Sequence, residues 1–112
     1  MTDTLDIKTK VTPAADRAEV IARLRAHEPG LREYGAIALH LYGSAARDEM
    51  TDESDVDLFI DYDPLGDLDL FKLCGLQRFV SAALGRKVDL TTRDGLHSYL
   101  KNRIERSSIE VY

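Results

Sequence analysis

Residues 55–62 read Asp55-Val56-Asp57-Leu58-Phe59-Ile60-Asp61-Tyr62. Acidic and apolar residues alternate here over strand length. The alternation predicts a β-strand, because successive side chains leave a strand on opposite faces. Val56, Leu58 and Ile60 then share a face that enters the core. Asp55 and Asp57 share the other face, with Cα atoms roughly 6.5–7 Å apart. Two carboxylates held this close repel each other, and a cation between them would relieve the repulsion. Mg²⁺ suits all-oxygen ligation of this kind. The same short pattern also suits the exposed polar face of an edge strand.

On the N-terminal side, Ala36–Tyr42 is an apolar run of strand length that ends at Gly43. Ser44–Met50 then reads as a short helix capped by Ser44. Gly lets backbone N–H groups approach an anion, and a helix start offers unpaired N–H groups. Gly43-Ser44 therefore suits a phosphate cradle, or an ordinary strand-to-helix turn. If the two strands are neighbours, cradle and carboxylates meet at one edge of the sheet.

On the C-terminal side, Asp63-Pro64-Leu65-Gly66 is a turn. Leu68–Leu84 is the longest predicted helix, with Leu73, Leu76, Val80 and Ala83 on one face and Gly85 as its stop. Lys87–Thr92 is a third strand, in which Asp89 faces away from Val88 and Leu90. Asp89 joins the other carboxylates only if this strand lies beside residues 55–62. Asp94–Ser107 is helical in part, and Ile109–Tyr112 is a last extended piece. Upstream, Thr12-Pro13 reads as the start of a helix running to about His27, interrupted by Pro29-Gly30. A short helical turn follows to Tyr34. Residues 1–11 read as irregular and flexible. The expected fold is α/β (α+β): one domain over residues 1–112, a small mixed β-sheet packed with helices, its motif-bearing core in residues 36–112.

The chain has 112 residues, 44% hydrophobic and 31% charged, which suits one globular domain. Net charge is −5. Ten acids and no Lys or Arg fall between Asp48 and Asp69. Direct nucleic-acid binding is disfavoured, because phosphates must be met by Lys and Arg. The lone cysteine, Cys74, forms no internal disulfide and reads as a buried apolar residue on the long helix. No stretch is long and apolar enough to cross a membrane. Residues 1–11 lack the apolar core of a signal peptide, so the expected location is cytoplasmic. His40 reads as a sheet histidine, and Tyr34, Tyr42, Tyr62, Tyr99 and Tyr112 as packing residues. Lys101, Arg103 and Arg106 form a basic stripe, solvated or in contact with a partner.

Three segments together resemble a known family. Gly43-Ser44-Ala45-Ala46-Arg47, Ser54-Asp55-Val56-Asp57-Leu58 and Lys87-Val88-Asp89-Leu90 are similar to the polymerase-β-like nucleotidyltransferases, and more narrowly to the MNT-type minimal nucleotidyltransferases. The resemblance covers roughly residues 36–112. It implies transfer of AMP from ATP with Asp55, Asp57 and Asp89 as catalytic carboxylates and ligands of two Mg²⁺ ions. It further implies that Gly43, Ser44, Arg47 and Ser54 bind the nucleotide. Arg47 suits a phosphate contact or a pairing with a nearby acid, and Ser54 suits orienting the loop before the strand. The family implies a protein acceptor, a tyrosine of a cognate HEPN-type ribonuclease toxin, with this chain as antitoxin in a hetero-oligomer with that toxin. The alternative is an antitoxin that neutralises its toxin by binding alone. One departure supports that alternative: Asp48 stands where the family usually has Gly. Asp tolerates a left-handed backbone, but its charge is unfavourable near a triphosphate unless it points away.

Overall fold

Residues Val56–Asp61 form strand β2, as the alternation predicts, and it is one of two central strands rather than an edge strand. The computed structural model describes residues 11–112, so the irregular stretch expected over residues 1–11 lies outside the described residues except for Val11. Helices α1 (Arg17–Ala26) and α2 (Glu28–Glu33) precede β1 (Ala38–Tyr42). A four-residue helix α3 (Gly43–Ala46) leads through a loop to β2. Helix α4 (Leu70–Leu84) connects β2 to β3 (Val88–Thr92). A 3₁₀ turn (Arg93–Gly95), helix α5 (Lys101–Ser107) and the short β4 (Ile109–Glu110) complete the chain. The sheet order is β3-β2-β1-β4, with β2 and β3 parallel and both other pairs antiparallel. The α4 crossover makes the parallel pairing possible, since a tight turn cannot return a strand in the same direction. The expected α+β fold with a mixed sheet is the observed one.

One face of the sheet carries the core. Leu39 and Leu41 of β1, Val56, Leu58 and Ile60 of β2, and Leu90 of β3 are buried with Val20 and Leu24 of α1 and Leu76, Val80 and Leu84 of α4. Each fully buried side chain of this size contributes about 1.5–3 kcal/mol. Helix α4 starts where Asp69 accepts the Lys72 N–H, and ends where Gly85 takes φ +65°. The other face carries Tyr42, Asp57 and Asp89, with the segment from Gly95 to Ile104 lying over it.

Several local expectations are corrected. Helix α1 begins at Arg17 rather than at Pro13. Asp16 caps it by accepting the Glu19 N–H, and Glu19 reaches back to the Ala15 N–H at 2.9 Å. This reciprocal cap outcompetes Thr12-Pro13. The expected break after His27 and the short helix to Tyr34 are observed, with Pro29 in the first turn of α2, where its missing N–H is harmless. Ser44 is not a cap: Tyr42 is the N-cap of α3, with no side-chain bond. Cys74 is exposed. It stands two residues from Leu76, about 200° around the helix and so away from the core. Phe59 lies on the carboxylate face yet is fully buried. The His40 ring stacks on it at 4.6 Å, and the Arg93 guanidinium lies 4.9 Å from its centre. Tyr99 is not a packing residue but is 90% exposed.

Candidate active site

Strand register gathers the site. Tyr42 of β1 lies opposite Asp57 of β2, and Asp57 lies opposite Asp89 of β3. Directly opposed residues share a face, with Cβ atoms about 4.5–5.5 Å apart in an antiparallel pair. The three side chains therefore form one row across three strands. Asp57, Asp89 and Tyr42 line a cleft of about 420 Å³ together with Thr91, His97, Leu100 and Ile104. Asp55 precedes β2 and lines a neighbouring cleft with Ser54, Arg86 and Lys87.

The row is electrostatically tense. The half-buried Asp57 carboxyl is pushed above its ordinary range, first by desolvation and then by the charges of Asp89 and Asp55, while Arg47 pulls it down. The Tyr42 phenol is pushed up to about 12 by burial and by the same two carboxylates, Asp57 and Asp89. A bound cation would reverse both effects. Among the described residues, no three His, Cys, Asp or Glu side chains stand close enough to hold a metal by themselves. The donor set nevertheless fits Mg²⁺. That ion is usually held by one or two carboxylates, with waters and substrate phosphates filling its shell, rather than by an all-protein cage.

Gly43 joins β1 to α3 beside Asp57. Its φ is +72°, and a Cβ there would stand 2.3 Å from Asp57 Oδ2. Only glycine lets the β1–α3 turn pass this close to the carboxylate. A second cleft of about 440 Å³ opens beside it, lined by Tyr42, Gly43, Arg47, Leu100, Arg103 and Ser107. Two guanidinium groups thus border the glycine turn. Arg47 pairs with Glu49 at 2.9 Å, the acidic pairing weighed for it from sequence, while also lining this cleft. Asp48 takes φ +59° and turns its carboxylate away, accepting the Arg17 N–H at 3.0 Å.

The remaining predicted residues divide. Ser44 lies within α3 next to Gly43. The Ser54 hydroxyl accepts the Thr51 N–H at 2.9 Å, so it shapes the loop before Asp55. Arg86 braces that loop: its guanidinium donates to the carbonyls of Thr51 and Ser54, and to Ala14 O at 3.0 Å. Sequence reading did not single out Arg86, whose role depends on contacts more than thirty residues away. His97, and Arg103 of the basic stripe, line the clefts at the carboxylate row. The basic stripe on the last helix is the sequence signal for Arg103, and nearness to Asp94 and the last helix the only one for His97.

A family model described as a nucleotidyltransferase domain matches residues 24–111. A Methanocaldococcus jannaschii protein named "Putative protein adenylyltransferase MJ1217" is 38% identical over 97 residues, covering 84% of this chain and 96% of its own. A solved structure described as a "putative minimal nucleotidyltransferase" superposes with TM-score 0.74 at 28% identity, covering 84% of this chain and 94% of its own. The fold also matches, at TM-score 0.56 and 18% identity over 79% of this chain and 68% of the other, a structure of a tri-AMPylated Shewanella oneidensis HEPN toxin in complex with MNT antitoxin. The matched region runs from α1 to β4 and takes in the glycine turn and all three carboxylates, so the chain belongs to the nucleotidyltransferase domain family.

Proposed function

We propose that this enzyme transfers AMP from ATP to a protein hydroxyl, a tyrosine of a cognate HEPN ribonuclease toxin, and so acts as its antitoxin. The observation that carries the reading is the row Tyr42–Asp57–Asp89, with Gly43 packed against Asp57. The names of its relatives support the acceptor class: one is called a protein adenylyltransferase, and another complex contains an AMPylated HEPN toxin.

Asp55, Asp57 and Asp89 would hold Mg²⁺. When bound, the metal supplies charge neutralisation at the triphosphate and leaving pyrophosphate and lowers the pKa of the acceptor hydroxyl. The glycine turn admits the phosphates, and Arg47 and Arg103 offset charge that the carboxylates and triphosphate share. Asp89, exposed at the row's outer end, would take the proton from the incoming hydroxyl. Catalysis then rests on positioning and charge stabilisation.

The test is transfer of label from α-labelled ATP with Mg²⁺ in the presence of the candidate toxin. Label should reach the toxin with wild type, and Asp57→Asn should lower the rate on the order of 10²–10³-fold or more. Full activity in Asp57→Asn would overturn the reading. The binding-only alternative loses its one sequence argument, because Asp48 points toward α1.

A further inference from the structure

The turn that walls the carboxylate cleft carries a tyrosine that packing leaves unused. His97 and Leu100 both line the cleft that holds Asp57 and Asp89. The Leu100 N–H donates to His97 O at 2.9 Å and closes the turn between them. Tyr99 sits within this turn and is 90% exposed. Its ring stacks loosely on the His97 ring at 6.3 Å, and its N–H donates to His97 Nδ1 at 3.2 Å. Among the described residues, its hydroxyl makes no hydrogen bond.

The other tyrosines near sheet ends differ. The Tyr112 hydroxyl donates to Ala36 O at 2.9 Å, and the Tyr62 hydroxyl donates to Asp94 at 3.0 Å. Tyr42 lies half-buried in the row itself. Tyr99 is thus an exposed phenol in the turn that walls a site that, on the function proposed above, acts on phenols.

We propose that Tyr99 is itself an acceptor, adenylylated in trans by a second copy of this chain. Tyr99 shares its turn with two residues of the cleft wall, His97 and Leu100, and its exposed ring is available to the cleft of a second copy. The Tyr99 Oη attacks the α-phosphorus of ATP. The new Oη–P bond forms as the bond from that phosphorus to its bridging oxygen breaks. Pyrophosphate leaves, and the phenolic proton passes to a carboxylate of the acting copy or to water.

This inference rests on the proposed transferase activity, and the experiment separates the two. Full-length chains are incubated with α-labelled ATP and Mg²⁺, with and without the candidate toxin, and label is mapped by peptide mass. Wild type should gain one nucleoside monophosphate at Tyr99, and Tyr99→Phe should fall to background in self-labelling while still labelling the toxin. An inactive Asp57→Asn chain that keeps Tyr99 should become labelled when mixed with active Tyr99→Phe. Label on the toxin with none on Tyr99 would overturn this inference alone. Self-label that never crosses to the Asp57→Asn chain would overturn transfer in trans. No label on either protein would remove both this inference and the transferase reading.

Discussion

Gly43 and Asp57 share one small volume, and neither tolerates change there. A Cβ at Gly43 would stand 2.3 Å from Asp57 Oδ2, at a φ of +72°. Gly43→Ala should cost roughly 1–2 kcal/mol from backbone strain alone. It should also displace the carboxylate, so transfer falls by more than the stability loss explains. Urea unfolding beside a rate measurement separates the two effects. Arg103 is the residue whose role is least expected from its position in sequence. It faces the glycine turn in the same cleft as Arg47. Arg103→Gln should weaken binding of a non-hydrolysable ATP analogue roughly tenfold, as loss of a charge-assisted contact does. Unfolding stability should change little, because Arg103 is exposed.

The helices are where local signals compete. Helix α1 shows the competition directly: Thr12-Pro13 is a legible start, yet Asp16 and Glu19 make the better one. Ala14 is meanwhile drawn into the core, with its N–H bonded to Leu84 O at 2.8 Å. Asp16→Ala should cost about 1 kcal/mol in unfolding free energy, whereas Thr12→Ala should cost less than half of that. Helix α4 shows no such conflict. Its apolar spacing, its Asp69 cap and its Gly85 stop agree, and the structure follows them to within two residues of the expected start.

Across the whole molecule, the C-terminal segment is tied to the sheet by charge. Arg93 bonds Asp61 at 2.6 Å and Glu105 at 2.7 Å, while His40 Nε2 lies 3.1 Å from Asp61. The Arg93 hydrogen bonds, then that from His40, hold the Asp61 carboxyl below its ordinary value of 3.8 against partial desolvation. A depressed carboxyl contributes stability above its unfolded pKa, and that contribution is lost as pH falls through the folded value. Asp61→Asn should therefore lose about 1–2 kcal/mol at neutral pH, a modest figure because the pair is partly solvated. The gap to wild type should close as pH drops below about 4, which denaturant midpoints across a pH series would register. The same tie holds α5, and with it Arg103, over the carboxylate face.

Three strands, the long helix and the row's individual carboxylates are legible in the sequence because each rests on a short-range period, a cap or a glycine stop. Asp57 opposite Asp89 is not legible, because parallel pairing across the α4 crossover is a long-range choice that local spacing does not encode. The same holds for the burial of Phe59 under His40 and Arg93, for His97 and Arg103 at the clefts, and for the turning of Asp48 toward α1. Each depends on which surfaces meet when sheet and helices close. That closure is selected by burial of the whole apolar face, not by any residue's neighbours in sequence.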